Sequence, residues 1–184
     1  MKFIIVVAIT LMGIITCQAQ SVNVLDAKNG FKQFKFGLAP ISLKNIRKIT
    51  EFGKKIKNMT YYEYVGTDME TQYDVKVNSI LLTFFKNKLA IIEVTFGSPT
   101  VEYTEDEYYK VQSFLVQTFG NSNQKLESQT RKMLNSAGWK GEKVVLEHTR
   151  SDLNKGEDDR LNFIIGEICL YDLKLNQAML NDAF

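Results

Sequence analysis

Two alternating apolar runs separated by a short polar turn constrain the fold of this chain more than any other feature. Apolar side chains occupy every second position late in residues 73–85 and again in residues 89–96. A period of two places such side chains on one face of a β-strand. The intervening Lys86-Asn87-Lys88 is typical of a tight turn. The sequence therefore predicts a long antiparallel hairpin.

Other segments extend this β-rich pattern. Aromatic or alternating apolar residues bounded by glycine, proline or polar clusters favour strands. A second hairpin is predicted late in the chain, where two such runs flank polar residues 151–159. Its two strands are Lys143–Thr149 and Leu161–Tyr171. The other predicted strands are Phe31–Phe36 and Tyr61–Val65, with a less regular one near Lys125–Lys132.

One helix is predicted early in the chain. Pro40 and Ser42 are suitable residues for its start, and Gly53 is suitable for its end. Charged residues separate apolar positions that recur at helical spacing. Those apolar positions are Leu43, Ile46 and Ile49.

A second helix has a stronger start. Thr104 and Glu107 stand three residues apart, which is the spacing of a capping box, and acidic residues fill the first turn. Gly120 can adopt positive φ and is expected to end the helix. The predicted buried stripe is Tyr108, Val111, Leu115, Thr118 and Phe119, with Phe114 beside it.

The order of these elements predicts an α+β fold, because runs of strands between single helices favour antiparallel packing. We expect one antiparallel sheet with two packed helices, built as two tandem helix-plus-three-strand units in a single domain. The units cover about residues 31–99 and 100–175. Residues 20–30 are expected to be flexible. The tail 176–184 is expected to be a short helix or irregular.

The N-terminus has the pattern of a secretory signal peptide. Lys2 precedes the apolar run Phe3–Cys17, which is shorter than the about 20 residues of a membrane-spanning helix. Cys17-Gln18-Ala19 then supplies small residues at the first and third positions. Cleavage after Ala19 would make Gln20 the first residue of an exported chain, periplasmic or secreted, without a transmembrane segment. An uncleaved anchor, a buried strand and a lipid-anchored Cys17 are alternatives.

Composition and charge exclude several classes of protein. The 184 residues are 45% hydrophobic and 24% charged, which is typical of a globular domain and not of a collagen-like or disordered chain. A net charge of +2 does not favour a nucleic-acid binder. After removal of a leader, Cys169 is the one cysteine left, so no internal disulfide is expected. Cys169 is expected to be a buried, unreactive thiol.

Short motifs carry a resemblance to known families. Phe36-Gly37 before the Ser42-capped helix and the hairpin Phe85-Lys86-Asn87-Lys88-Leu89 resemble outer-membrane assembly lipoproteins of the BamE (SmpA/OmlA) type. The doubled helix-and-sheet pattern is similar to that of beta-lactamase inhibitor protein. Phe34-Lys35-Phe36-Gly37 also resembles secreted proteins of Bacteroidetes. The chain departs from the lipoproteins at Thr16, because in those proteins a glycine, alanine or serine normally precedes the lipidated cysteine. The resemblance implies a binding or scaffolding role and no catalytic residues.

The inventory of catalytic groups is short. His148 is the only histidine, so a zinc site with two imidazoles is excluded, and we expect a strand-end histidine at the edge of a sheet rather than a catalytic base. No glycine-rich phosphate loop is present, and no cofactor is expected. One acidic group, Glu102 with Glu105–Glu107, is explained by the second helix. A second group, Asp152 with Glu157–Asp159, is expected to be a solvated loop, with Ca²⁺ binding as the alternative.

Two groups of residues are candidates for binding a partner. The early helix is basic, with Lys44, Arg47, Lys48, Lys54, Lys55 and Lys57. Such a face suits an anionic protein or envelope component, although a solvated helix face is also consistent with it. Tyr61, Tyr62 and Tyr64 share a strand, so their side chains must alternate between its faces. Tyr62 and Tyr64 are the predicted contacts, with packing within an edge strand as the alternative, because tyrosine is a common strand former. Trp139 is expected in the core.

These features predict an exported, non-enzymatic interaction module of the cell envelope. An exported protein inhibitor of an enzyme is one alternative. A hydrolase that uses carboxylates such as Glu93 or Asp74 is another. The inhibitor hypothesis requires stoichiometric inhibition of an enzyme. The hydrolase hypothesis requires two carboxylates that converge in a pocket. The sequence leaves the partner and the oligomeric state open.

Overall fold

The structure is a computed structural model that describes residues 24–50, 57–126, 132–153 and 163–183. Within these ranges, no helix is long and apolar enough to cross a membrane. Several expectations concern residues outside them. These are the leader with Cys17, Ala19 and Gln20, the basic residues Lys54 and Lys55, the helix end at Gly53, and the acidic residues Glu157–Asp159.

Antiparallel strands contain more of the described residues than helices do. The main sheet has eight strands in the order β3-β4-β6-β7-β10-β9-β8, with β5 paired to β6, and β1 and β2 form a separate hairpin. In chain order the strands are β1 (Gly30–Phe31), β2 (Phe34–Lys35), β3 (Ile46–Ile49), β4 (Met59–Tyr64), β5 (Thr71–Gln72), β6 (Val75–Phe85), β7 (Lys88–Phe96), β8 (Lys132–Lys140), β9 (Val144–Asp152) and β10 (Ile164–Asp172). Two helices, α1 (Glu105–Phe119) and α2 (Leu173–Ala183), complete the α+β fold.

The β6–β7 hairpin confirms the prediction made from the alternating runs. Phe85 pairs with Lys88, which leaves Lys86 and Asn87 as a two-residue loop. Both loop residues have positive φ, 48° and 65°. This conformation matches the twist of the two strands and accounts for the tight turn.

Helix α1 begins and ends as predicted. The Glu107 side chain accepts a hydrogen bond from the backbone of Thr104 at 2.8 Å, and the Thr104 hydroxyl accepts one from the Glu107 N–H at 3.2 Å. Gly120 ends the helix with φ 74°. The buried residues are Tyr108, Val111, Leu115 and Phe119, as the apolar stripe predicted, whereas Thr118 is half-buried and Phe114 is exposed.

The two faces of the sheet are covered unequally. We call the face that carries Ile92 of β7 and Ile168 of β10 the front face; it bears most of the core. Helix α1 packs against β6, β8 and β9 on this face, and the β1–β2 hairpin packs against β7 and β10. On the opposite face, called here the back face, α2 packs a smaller cluster around Met179, Phe85 and Ala90.

The predicted early helix is wrong. Pro40–Ser42 forms only a short 3-10 turn, and Ile46–Ile49 is strand β3, paired with β4 from Ile46↔Tyr64 to Ile49↔Tyr61. Asn45 between them has φ 56°, which interrupts a helix. The backbone hydrogen-bonding groups of this segment pair with β4 instead. Pairing with this aromatic strand overrides the helical spacing of Leu43, Ile46 and Ile49.

The arrangement in two tandem units is not confirmed. The second half has the expected order of one helix and three strands, α1-β8-β9-β10, but the described residues 40–50 of the first half form a 3-10 turn and strand β3 in place of the α-helix. β7 pairs with β10, so the strands of both halves belong to one sheet. Strand β8 extends well beyond the irregular strand expected near Lys125–Lys132. The tail is helical, and α2 begins at Leu173.

The segment expected to be flexible, as far as it is described, is held against the core. Residues 24–28 are helical, and Leu25 is buried. Both carboxylate oxygens of Asp26 accept backbone hydrogen bonds from the β8–β9 turn, from the N–H groups of Glu142, Lys143 and Val144 at 2.8–3.0 Å. An apolar anchor and a carboxylate that satisfies three donors explain why this segment is docked.

Candidate ligand-binding cleft

A cleft of about 280 Å³ opens on the front face, between the β1–β2 hairpin and the C-terminal end of α1. This volume lies just below the usual range for small-molecule sites, about 300–1,000 Å³, and therefore suits only a small ligand. The cleft is lined by Lys28, Gly30, Phe31, Lys32, Lys35, Tyr73, Thr118, Phe119, Leu146, Ile168 and Leu170. Its residues come from five separate parts of the chain, and only the tertiary fold brings them together.

The floor of the cleft is apolar because it is part of the front face of the sheet. Leu170 of β10 stands opposite Leu146 of β9 in the strand register, and Ile168 lies two residues away from Leu170 on the same face. All three side chains are at most 2% exposed. Phe31 and Phe119 form apolar walls above them. A group that enters deeply must therefore be apolar, since the floor offers it no polar partner.

Three lysines surround the mouth of the cleft. The Lys28 ammonium lies 5.7 Å from the centre of the Phe119 ring, a distance at which a cation is attracted to an aromatic face. The Lys35 ammonium donates a hydrogen bond to the backbone carbonyl of Lys28 at 2.8 Å, which links the hairpin to the preceding helical turn. Lys32 is exposed on the turn between β1 and β2. In the part of the chain that the structure describes, none of the three forms an ion pair.

The opposite wall carries two hydroxyl groups. Tyr73 packs its ring against Phe114 at a centroid distance of 5.5 Å, and burial raises the pKa of its phenol. The phenol therefore stays protonated at neutral pH and can donate a hydrogen bond. The Thr118 hydroxyl donates to the carbonyl of Phe114 at 2.8 Å, and its oxygen can still accept a bond.

The backbone is in the left-handed region on both sides of the cleft. Lys32 has φ 52° in the β1–β2 turn, and Tyr73 has φ 56° in the β5–β6 turn. This region is unfavourable for long or bulky side chains, and such residues are retained where the surrounding structure holds them. Gly30 is required for a different reason: a Cβ there would lie 2.1 Å from the carbonyl oxygen of Phe34.

A second group of polar side chains lies buried under α1. The imidazole of His148 is fully buried, with Nδ1 donating to Gln112 Oε1 at 2.9 Å and Nε2 accepting from the Tyr103 hydroxyl at 3.2 Å. The Tyr108 ring stacks on it at 4.3 Å. Burial lowers the pKa of His148 to about 3, so the ring is neutral at physiological pH. Both nitrogens are used by protein partners, which makes this a structural cluster.

The expectation of a strand-end histidine at a sheet edge is therefore wrong. His148 lies in the middle of β9, between Ile168 of β10 and Ala137 of β8. Gly166 of β10 leaves room for the Tyr103 ring, because a Cβ at that position would lie 2.2 Å from it. Alternation in the sequence indicated strand β9. The sheet continues beyond β9 because β8 pairs with it, and β8 was expected only as an irregular segment.

The basic residues expected to share a helix face do not form one. Arg47 and Lys48 are successive exposed residues of β3, so their side chains point to opposite faces of the sheet. Arg47 pairs with Glu63 at 2.6 Å. Lys44 and Lys57 are exposed outside the strands, and Lys54 and Lys55 lie outside the described residues. Binding of an anionic partner by these side chains stays a prediction.

The two tyrosines expected to contact a partner face the interior. Tyr64 is 9% exposed and packs edge-on against Phe34 at 5.3 Å, while its hydroxyl donates to Asp68. Tyr62 packs in the same way against Phe84 at 5.2 Å. Tyr61 belongs to the back face, as alternation requires. Partner binding through Tyr62 and Tyr64 stays a prediction, for which the structure offers little accessible side-chain area.

The carboxylates proposed for a hydrolase are far apart. Asp74 is exposed in the β5–β6 turn, and Glu93 lies within β7 on the back face. In the register, Cys169 lies between Glu93 and Glu147. Burial raises the pKa of the Cys169 thiol, and the carboxylates of Glu93, Glu147 and Glu167 raise it further. The thiol is thus protonated at neutral pH, and it is half-buried rather than fully buried; its low reactivity stays a prediction.

Two further expectations concern core and metal residues. Trp139 is buried in β8, and its Nε1 donates to the carbonyl of Gly120 at 2.8 Å, which confirms its place in the core. Among the described residues, no group of three or more histidine, cysteine, aspartate or glutamate side chains could hold a metal ion. Most of the acidic loop considered for Ca²⁺ lies outside the described residues.

Sequence reasoning missed the lysines of the cleft. Lys28, Lys32 and Lys35 lie in the segment interpreted as a flexible terminus and a short strand. No local signal in the sequence marks them, because lysines between apolar residues are equally expected on a solvated face.

Comparison with models of known protein families, with curated proteins and with solved structures found no match to the chain.

Proposed function

We propose that this protein is an exported, non-catalytic binding module that holds a small ligand in the cleft on the front face. The observation that carries the proposal is a cavity of about 280 Å³ with an apolar floor and a polar mouth. Small-molecule sites typically have such apolar linings with a few polar groups placed to orient the ligand. Export is supported by the leader-like segment, and the cell envelope is the compartment where we expect the protein to act.

The chemistry of the lining supports binding rather than catalysis. The Thr118 hydroxyl donates to a backbone carbonyl and has no base beside it among the lining residues. Among the described residues that line the cleft, none is a histidine, a cysteine or an acidic residue. Lysine, tyrosine and threonine side chains at the mouth can hold and orient a ligand through charge and hydrogen bonds.

The test uses a neutral fluorescent probe and one substitution that fills the cleft. The probe is Prodan, a small uncharged naphthalene dye whose emission shifts to shorter wavelength in an apolar site. Thr118→Phe places a ring in the cleft, because Thr118 lines it from α1. Ser113→Phe is the matched control, since Ser113 is an exposed residue of the same helix and does not line the cleft.

We expect saturable Prodan binding to the unmodified protein and to Ser113→Phe, and at least a tenfold weaker affinity for Thr118→Phe. Circular dichroism and thermal unfolding of the three proteins establish that each is folded. Equal binding to all three would place the dye elsewhere and overturn the proposal. Absence of binding to the unmodified, folded protein would overturn it as well.

A further inference from the structure

Resting on the function proposed above, we propose that the ligand is a small amphipathic anion: an apolar body that carries one terminal carboxylate or phosphate group. The apolar body lies toward the floor of the cleft, and the anionic group lies at the mouth among Lys28, Lys32 and Lys35. The two head groups share the chemistry that the lysines recognise. The experiment below separates them.

The positive charge at the mouth of the cleft is the first observation that favours an anionic ligand. Three ammonium groups lie around one opening, and none of them is paired with a carboxylate in the described part of the chain. Like charges gathered beside an apolar surface repel each other more strongly than in open water, because the local dielectric is lower. An anion placed between them relieves this repulsion, whereas a cation would increase it.

Two of the three lysines are held in place. The Lys35 ammonium is bonded to the Lys28 carbonyl at 2.8 Å, and the Lys28 ammonium rests over the Phe119 ring. A side chain that is already ordered loses less conformational entropy when it binds a ligand. The mouth is therefore partly preorganised for a negative group.

The backbone of Lys32 decides which substitution tests its charge. Lys32 lies in the two-residue loop between Phe31 and Phe34, and its φ of 52° resembles that of Lys86 in the β6–β7 loop. Glycine adopts this φ more readily than lysine does, so Lys32→Gly removes the charge without straining the turn.

The floor and the size of the cleft set the rest of the ligand. Leu146, Ile168 and Leu170 offer hydrocarbon and no hydrogen-bond partner, so the inner part of the ligand is apolar. A volume of about 280 Å³ suits a body of medium length rather than a complete two-chain lipid. The protonated Tyr73 phenol on the opposite wall supplies a donor that an anionic oxygen can accept.

The experiment measures displacement of Prodan by four single-chain compounds whose unbranched alkyl chains have seven or eight carbons and whose head groups differ. These are octanoate, octyl phosphate, octanol and octyltrimethylammonium. We expect octanoate or octyl phosphate, or both, to displace the dye at concentrations at least tenfold lower than octanol, and the cation to be the weakest. Which anion is stronger identifies the head group. Octanol equal to or better than both anions would overturn the inference and leave the proposed function intact.

Two substitutions test the lysines directly. Lys32→Gly removes one charge at a residue whose φ suits glycine, and Lys28→Gln removes the charge over Phe119. Lys110→Gln is the control, because Lys110 is exposed on α1 and does not line the cleft. We expect at least a threefold loss of affinity for the preferred anion in each cleft variant, a smaller loss of affinity for octanol, and unchanged anion affinity in the Lys110→Gln control.

The outcomes separate the two proposals. A loss of anion affinity that exceeds the loss of octanol affinity supports the assignment of the lysines. Retained anion affinity in both cleft variants would overturn it, even if the dye still binds. Failure of Prodan to bind the unmodified protein would instead overturn the proposed function. Higher salt should weaken the anion and leave octanol unchanged, since screening acts on the charge interaction alone.

Discussion

The front and back faces of the sheet carry different clusters of charged side chains. The front face is covered by α1 and by the hairpin whose lysines surround the cleft. The back face carries Glu93, Glu147 and Glu167 around Cys169, and α2 covers only the region near Met179. A net charge of +2 conceals this separation, because positive and negative groups nearly cancel when they are summed over the whole chain. The difference teaches that overall charge does not predict the sign of a local binding surface.

The buried polar groups of the two faces also differ in their hydrogen bonds and ionisation. On the front face, His148 is neutral and both of its nitrogens are bonded to protein partners. On the back face, Glu147 keeps its carboxylate, which accepts a bond from the Tyr171 hydroxyl at 3.1 Å, while burial raises its pKa. The front face therefore behaves as a packed interior, and the back face as a half-covered polar surface.

The largest expected effect distinguishes the two apolar clusters. Phe34 is fully buried on the front face and anchors the β1–β2 hairpin against Tyr64. Phe34→Ala is expected to lower the free energy of unfolding by about 3–5 kcal/mol and to abolish Prodan binding, because a large cavity forms beneath the hairpin. Met179→Ala on α2 is the matched change on the back face, with an expected loss of about 2 kcal/mol and retained dye binding. Urea unfolding measures both, and equal losses in the two variants would contradict the comparison.

An intermediate effect concerns acid stability of the front face. The pKa of His148 is about 3 in the folded protein and about 6.5 in the unfolded chain. Between these values the unfolded state binds more protons, so the folded state loses stability as pH falls through this window. The expected loss approaches about 1.4 kcal/mol for each pH unit below 6.5.

His148→Gln is the control for this pH dependence. Its amide can keep hydrogen bonds to Tyr103 and Gln112 without titrating. Urea unfolding at pH 7, 5.5 and 4.5 should therefore show a flatter pH dependence in the variant, even if its stability at pH 7 is lower. Parallel curves for the two proteins would show that His148 is not the group that titrates.

The smallest expected effect tests the charge of the back face. In a Cys17→Ser background, alkylation of Cys169 by iodoacetamide should be slow at pH 8, because burial and three carboxylates raise the pKa of the thiol. Glu147→Gln removes one of those charges and should speed the reaction a few-fold. Lys110→Gln on α1 serves as a remote control. A rate unchanged by Glu147→Gln would show that the carboxylates do not govern this thiol.

Local signals predicted the parts of the fold that depend on neighbouring residues. The β6–β7 hairpin follows from alternation and from a turn whose two residues accept positive φ. Helix α1 follows from Thr104, Glu107 and Gly120, whose roles are visible within three or four residues. These elements could be predicted because their determinants are close together in the chain.

Distant contacts decide the parts that sequence reasoning missed. The spacing of Ile46 and Ile49 suits a helix as well as a strand, and only pairing with β4 selects the strand. The cleft joins Lys28, Tyr73 and Leu170, which no local pattern relates to one another. The aromatic residues of β4 were visible in the sequence, but which of their faces turns inward depends on the register with β6.

The contact of Asp26 with the β8–β9 turn has a consequence for how the molecule is made. One carboxylate near the start of the described chain satisfies donors 116 to 118 residues later. Closing so large a loop is slow, because its entropy cost precedes any gain from the contact. The cleft likewise needs β9 and β10 beneath the hairpin. A newly synthesised chain therefore acquires its binding capacity only after its last strands have been added. The onset of ligand binding can therefore be used to measure when folding is complete.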